Sequence, residues 1–162
     1  MIGLSANFST MTSLNDRGSV RLQYGALPYR LSEAGALEFL LITSRTTHRW
    51  IIPKGWPAKE MSATMAAQRE AYEEAGVRGT ITGKALGSYM YEKYLDKKGI
   101  GVLCKVKVFP MLVKRQFRTW PEQAEREVRW AGVDDAQLLL EETGLRDLVR
   151  GFAAKYSVRP AE

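Results

Sequence analysis

The first third of the chain alternates short apolar runs with polar turns, a pattern typical of strands. Residues 20–31 (VRLQYGALPYRL) are rich in strand formers in loose alternation, and Pro28 indicates an edge or a strand end. Residues 38–45 and 50–53 are apolar runs of strand length. The polar turn TSRTTHR lies between them, and the proline- and glycine-containing stretch 53–60 (PKGWPAKE) predicts a loop.

The remaining pattern predicts helices separated by further strands. Ser62 is a suitable N-cap for a helix that runs through Ala75, and Gly76 suits the position just after its end. Strands are predicted over 80–95 and 99–112, joined by the hairpin-like DKKG of residues 96–99, and over 126–133. Residues 134–156 predict a second helix, interrupted by Gly144, with an apolar stripe of Leu138, Leu145, Leu148, Val149 and Phe152. The order predicts an α+β fold, an α/β/α sandwich with a mixed sheet covered by helices.

Composition places these elements in one globular domain. The 162 residues, 45% hydrophobic and 26% charged, suit a single domain over 19–158 preceded by a flexible leader, residues 1–18, that lacks the pattern of a signal peptide. No apolar run reaches the roughly 20 residues that span a bilayer. A single cysteine, Cys104, favours a cytoplasmic location, and with one histidine it argues against zinc. The net charge of +6 favours an anionic partner, which could be nucleic acid, an anionic membrane surface or a phosphorylated small molecule.

The first predicted helix carries a concentration of acid. Glu70, Glu73 and Glu74 share one helical face at spacings of three and four, so their charges repel one another. A divalent cation would remove that cost, and Mg²⁺ prefers carboxylate oxygens. A solvated surface helix is the alternative interpretation of such a segment. On the opposite face, Met61, Met65 and Tyr72 are predicted to point towards the core.

The context of this helix resembles a known family. The stretch from Gly55 to Val77 is similar to the Nudix box, in which glycine, five residues, glutamate and seven residues precede Arg-Glu-aliphatic-any-Glu-Glu-any-Gly-aliphatic. The one departure is Met61, which stands where the family has its first glutamate, with Glu60 adjacent. In the family that glutamate supports the box, so the departure bears on efficiency more than on reaction type.

The resemblance implies a fold, a reaction and a set of site residues. The fold is the Nudix sandwich with a catalytic loop-helix-loop, and the activity is hydrolysis of a pyrophosphate with Mg²⁺ or alternatively Mn²⁺. The implied metal ligands are Gly55, Glu70, Glu73 and Glu74, and the implied catalytic residues are Arg69, Glu70 and Glu73. Arg69 would orient the carboxylates, Gly55 would offer a backbone oxygen, and which glutamate activates water stays open.

The wider sequence looks like the branch that includes diphosphoinositol polyphosphate phosphohydrolases and diadenosine polyphosphate hydrolases. The resemblance makes Arg21, Ser44, Arg45 and Lys54 candidates for substrate binding, with solubility an equal alternative for each basic residue. Glu92, Glu122 and Glu125 lie where some family members add another acid, although surface roles are favoured for them. Trp56 is the best candidate for stacking on a nucleobase.

The favoured function is therefore cleavage of a phosphoanhydride bond in a polyphosphorylated small molecule by a monomer or homodimer. The substrate would be a dinucleoside polyphosphate or a diphosphoinositol polyphosphate. The alternatives are hydrolysis of nucleoside triphosphates, hydrolysis of RNA 5′-pyrophosphate, and a non-catalytic module that binds a phosphorylated ligand. Nucleic acid is not favoured as a partner because no dedicated RNA-binding motif is present, and no membrane partner is expected.

Overall fold

The computed structural model describes residues 19–94 and 101–157, which form one mixed sheet of eight strands and three α-helices. The strands are β1 (Arg21–Leu31), β2 (Leu37–Thr43), β3 (Trp50–Ile51), β4 (Lys54–Gly55), β5 (Val77–Thr80), β6 (Gly87–Tyr94), β7 (Gly101–Gln116) and β8 (Val128–Gly132). The helices are α1 (Ala63–Ala75), α2 (Val133–Leu139) and α3 (Thr143–Ser157), and a short 3₁₀ turn covers Gln123–Glu125. None of the helices in this described part of the chain is long and apolar enough to cross a bilayer.

The centre of the sheet is a parallel pair, β1 and β7, in register from Arg21 opposite Cys104 to Tyr29 opposite Leu112. The other edge of β1 pairs with β4 near its start and with β2 near its end. The other edge of β7 pairs first with β6 and then with β5, both antiparallel. This arrangement brings β4, and with it the loop before α1, directly beside a central strand.

Alternating side chains fill two cores, one on each face of the sheet. Along β2, Phe39 and Leu41 pack on the side of α2 and α3, whereas Leu40 and Ile42 pack on the side of α1. Since all four are fully buried, helices cover both faces. The predicted α/β/α sandwich with a mixed sheet is confirmed.

Helix α1 has the predicted bounds but buries a different face. The Ser62 hydroxyl accepts a hydrogen bond from the Met65 amide (3.2 Å), and Gly76 closes the helix with a left-handed φ of 68°. The prediction that Met65 faces the core is wrong, since it is 50% exposed, and Tyr72 is only half-buried. The helix instead lays its alanines on the sheet: Ala66, Ala67, Ala71 and Ala75 are all fully buried. Small side chains let the helix backbone, and the carboxylates it carries, approach the sheet closely.

Two other elements differ from expectation. The strand predicted over 80–95 is two strands, β5 and β6, separated by residues 81–86. The last helix breaks at residues 140–142, just before Gly144, and Leu138 is 83% exposed instead of part of an apolar stripe. Strands β6 and β7 pair antiparallel as a hairpin requires, while the DKKG turn and residues 1–18 lie outside the described residues.

Candidate functional site

Gly55 of β4 lies directly against the carboxylate of Glu70 on α1. Gly55 pairs with Tyr24 of β1, and a Cβ added at residue 55 would overlap the Glu70 carboxylate. Only glycine permits this approach, which leaves Glu70 8% exposed. The structure thus brings together two of the residues that the sequence predicts as metal ligands.

Arg69 lies beside the same carboxylates, as the resemblance implies for an orienting residue. Its Nη2 donates to Glu70 Oε1 at 3.3 Å, and its Nε lies 4.0 Å from Glu73 Oε1. Burial raises the pKa of Glu70, while the hydrogen bond from Arg69 opposes that rise. Since burial disfavours the charged form, Glu70 is a carboxylate whose ionised state a nearby cation would stabilise.

Glu74 is hydrogen-bonded to two cationic residues, Lys54 and Arg126. The backbone amide of Lys54 donates to Glu74 Oε2 at 3.2 Å, and Arg126 Nη2 donates to Glu74 Oε1 at 3.2 Å. Burial raises the pKa of Glu74 to about 7 in spite of both cations, and burial also lowers the pKa of Lys54 to about 8. The pair is therefore closer to neutrality than either group would be in water.

Arg126 is the site residue that sequence reasoning missed. Its side chain is only 6% exposed, and it donates to the Thr43 carbonyl (3.0 Å) and to Glu122 (3.0 Å) as well as to Glu74. Glu122 also lies 3.5 Å from Arg45. The one available signal was its position two residues before Val128, which is half-buried. Because side chains alternate along an extended segment, Arg126 lies on the same side as Val128.

Lys54, Glu74 and Arg126 line a cavity of about 220 Å³, here called the first cavity, whereas Gly55 and Glu70 lie outside its lining. Ser44, Arg45 and Lys54, three of the predicted substrate-binding residues, line it, whereas the fourth, Arg21, is exposed and does not. The rest of the lining used below is Tyr91, Glu92, Lys93, Glu74 and Arg126. Lys54 Nζ lies 4.9 Å from the centre of the Tyr91 ring, and Lys93 Nζ lies 5.2 Å from that of the exposed Trp56. The cavity combines cations with aromatic faces, as a site for a phosphorylated ligand requires.

The carboxylates suit a divalent cation in part. Among residues 19–94 and 101–157, no three acidic, histidine or cysteine side chains converge as a ready metal cluster. Mg²⁺, however, needs only one or two carboxylates, because waters and substrate phosphates complete its shell. Glu70 and Glu73, with the backbone of Gly55, meet that requirement, whereas Glu74 is engaged by Arg126.

Comparisons with known proteins agree with this geometry. The sequence profile of the NUDIX domain matches residues 23–152. The chain belongs to the Nudix family. Nudix hydrolase 16, mitochondrial, of Arabidopsis thaliana is 32% identical over 164 residues, covering 94% of this chain and 90% of that protein. Diphosphoinositol polyphosphate phosphohydrolase 3-alpha of Mus musculus is 35% identical over 107 residues, covering 64% of this chain and 60% of that protein.

The solved structures support the Nudix fold independently. The binary complex of the Ap4A hydrolase of C. elegans superposes with a TM-score of 0.63 and 25% identity, covering 85% of this chain and 98% of that one. This chain is therefore a Nudix hydrolase, and Nudix hydrolases generally use divalent metal ions such as Mg²⁺. The catalytic, metal and substrate roles of the individual residues stay predictions.

Proposed function

We propose that this Nudix hydrolase is a Mg²⁺-dependent pyrophosphohydrolase of polyphosphorylated small molecules. Its substrate would be a dinucleoside polyphosphate or a diphosphoinositol polyphosphate. The observation that carries the proposal is the junction of two features. One is the Gly55–Glu70 contact, and the other is the first cavity, which presents Arg45, Lys54 and Lys93.

The charge arrangement supports a ligand with several phosphates. Lys93 has an aromatic ring beside it instead of an ion pair among the described residues, so its charge is available to an anion, whereas Lys54 shares its charge with Glu74. The Arg45 side chain is 56% exposed and lies 3.5 Å from Glu122 and 3.6 Å from Glu125. A phosphate could replace these carboxylates as the partner of Arg45. Several cations around one cavity bind a polyanion better than a single phosphate.

The printed names of two similar proteins favour the same substrate class. One relative is named a diphosphoinositol polyphosphate phosphohydrolase, and one neighbour in fold is an Ap4A hydrolase. Both names describe molecules with phosphoanhydride bonds. Trp56, 37% exposed at the loop before α1, offers a ring on which a nucleobase could stack, which favours the dinucleotide.

The residues divide the work of hydrolysis. Glu70 and Glu73, with the Gly55 carbonyl, would hold the divalent cation, which when bound neutralises phosphate charge and makes water a better nucleophile. Lys54 and Arg45 would bind and orient the phosphates in the first cavity. Arg69 would keep the carboxylates of Glu70 and Glu73 in place. One of these two glutamates would act as the general base that accepts the proton of the attacking water.

The test is product analysis with Mg²⁺ on a substrate panel, comparing wild type with Glu70→Gln. The panel holds dinucleoside polyphosphates, a diphosphoinositol polyphosphate, nucleoside triphosphates and 5′-triphosphorylated RNA. We expect turnover of one of the first two classes and a loss of about 10³-fold or more in Glu70→Gln, because electrostatic stabilisation of the reaction is removed. Glu33→Gln, an exposed acid in the β1–β2 turn, is the matched control and should keep full activity.

Each other outcome points to a different function. Exclusive turnover of nucleoside triphosphates or of RNA ends would replace the proposed substrate class. Binding without turnover of any compound would make the protein a ligand-binding module. Equal activity in Glu70→Gln and wild type would contradict the placement of the catalytic site.

A further inference from the structure

A second cavity lies between α1 and β5, away from the first. Its volume is about 290 Å³, and its lining is Gln68, Arg69, Tyr72, Arg78 and Gly79. It shares no lining residue with the first cavity. Two of the lining residues are arginines and none is acidic. Arg69 pairs with Glu70 and Glu73, so the positive charge without a carboxylate partner among the described residues is that of Arg78.

A third arginine stands directly opposite one of these. In the antiparallel pairing of β5 with β7, Arg78 faces Arg115. Opposed residues of an antiparallel pair project from the same face, about 5 Å apart at Cβ, where like charges destabilise the sheet. Lys114 and Arg118, both exposed, add further positive charge around the end of β7.

The two arginines rest on aromatic rings instead of carboxylates. The Arg78 guanidinium lies 4.6 Å from the centre of the Tyr72 ring and 5.4 Å from that of Phe117. Arg115 lies 4.4 Å from the centre of the same Phe117 ring. Within the described residues, neither arginine has an ion pair or a hydrogen bond through its side chain.

This contact matters because of how a guanidinium binds. Contact with a ring holds the planar group in place but uses none of its N–H donors, which point outward in the plane of the group. Arg78 and Arg115 are both exposed, so two forks of donors remain available to a ligand. Such forks match the oxygens of a phosphate, which they bind by pairs of charge-assisted hydrogen bonds.

We propose that Arg78, which lines the second cavity, and Arg115, which is paired with it across β5 and β7, form a binding site for phosphate groups that is distinct from the first cavity. Its ligand is a short chain of linked phosphates, because two guanidiniums lie over the same Phe117 ring. Tyr72 and Phe117 each contact a guanidinium and also contact each other edge to face, which leaves less ring surface for stacking on nucleobases. That observation favours a polyphosphate group over a single-stranded nucleic acid.

The test is calorimetric titration with inorganic tripolyphosphate in the presence of EDTA, which prevents binding through a divalent cation. We expect the dissociation constant of the double variant R78Q/R115Q to rise at least about tenfold over wild type, because hydrogen bonds between charged groups are lost. The control R150Q/K155Q, on α3 across the sheet, removes the same charge and should bind as wild type does. Circular dichroism spectra establish that each variant is folded.

A second variant separates geometry from charge. R78K/R115K keeps both charges and long side chains, so it should fold normally, but an ammonium cannot form the paired fork. We expect it to bind several-fold more weakly than wild type. If it binds as tightly as wild type, the fork geometry is not used and the proposal is wrong.

Three further results would overturn the proposal. Equal weakening in R78Q/R115Q and R150Q/K155Q would show a general effect of net charge. Loss of binding on Arg45→Gln with retention in R78Q/R115Q would place the anion in the first cavity. Binding of a single-stranded RNA oligonucleotide that depends on Arg78 and Arg115, without binding of tripolyphosphate, would replace the ligand class.

Discussion

The two cavities use the same residue type in opposite ways. At the first cavity, Arg126 is buried and bonded to Glu74 and Glu122, and Arg45 is shared between two carboxylates. Beside the second cavity, Arg78 and Arg115 lie on aromatic rings with no carboxylate partner in the described residues. An arginine in an ion pair mainly shapes its site, whereas an arginine on a ring keeps its donors for a ligand.

The difference also concerns stability. Removing one partner from a buried ion pair leaves an uncompensated charge, which is costly, whereas removing an exposed guanidinium from a ring is not. The first cavity should therefore be sensitive to mutation in its fold as well as in its activity. Mutation of Arg78 or Arg115, beside the second cavity, should affect only binding there.

The largest expected effect is on unfolding. Arg126→Met should lower the free energy of unfolding by about 3–5 kcal/mol, because Glu74 and Glu122 lose their buried partner. The matched change beside the second cavity, Arg78→Met, should cost less than about 1 kcal/mol. Urea denaturation of both variants measures the two values, and similar losses would contradict the distinction between the cavities.

The next effect is the pH dependence of stability in EDTA. The pKa of Glu74 is raised in the folded state to about 7 from an ordinary value of 4.5, so the folded state binds more protons than the unfolded state between these values. The contribution of Glu74 to stability is therefore full below about pH 4.5 and is lost as the pH rises through about 7. Each unit of pKa difference is equivalent to about 1.4 kcal/mol.

Two variants check the assignment of this slope. Glu74→Gln should flatten the decline over this pH range, whereas R78Q/R115Q should keep the slope of wild type. An unchanged slope in Glu74→Gln would show that other groups produce it.

A smaller effect is expected on substrate affinity. Arg45→Gln should raise KM by about five- to tenfold with kcat little changed, because the loss of one exposed charge-assisted hydrogen bond weakens binding. Arg78→Gln should leave both constants as in wild type. Steady-state kinetics on the substrate named by the panel would show this, and a rise in KM for Arg78→Gln would mean that the cavities act together.

The smallest effect concerns Met61, where the Nudix box has its first glutamate. Met61 is half-buried just before the N-terminus of α1, and adjacent Glu60 is exposed. Met61→Glu should raise kcat by less than about tenfold, because it restores the glutamate of the box. The helix dipole favours a carboxylate at this position, just before the N-terminus of α1. Met65→Glu, at a position 50% exposed on the same helix, is the control and should have no effect on kcat. No gain from Met61→Glu would show that this enzyme does not use the position.

Local chemistry explains what the sequence could predict. Ser62 and Gly76 act on the adjacent turns of α1, so both ends of the helix were predictable. Apolar runs gave most strands, and the fixed spacing of the box gave the family. The buried face of α1 was mispredicted because size suggested methionines for the core, whereas close approach to the sheet requires alanines.

Contacts between distant segments explain what it could not. Arg126 and Glu74 are separated by 52 positions and meet only because β8 pairs with β2 in the sheet on which α1 packs. The pairing of Arg78 with Arg115 likewise depends on the register of β5 with β7. The parallel pairing of β1 and β7 leaves no signal in either strand alone. Each of these contacts depends on the whole fold.

The most direct test of the central claim, that hydrolysis takes place where β4 meets α1, is the Mg²⁺-dependent rate of phosphoanhydride cleavage in Gly55→Ala. The added Cβ would displace the Glu70 carboxylate, whereas Gly151→Ala, on α3, adds a Cβ that meets nothing within 4 Å. The account predicts a loss of about 100-fold or more in folded Gly55→Ala, as small misplacements of catalytic groups produce, and full activity in Gly151→Ala. Equal rates in the two variants would contradict it.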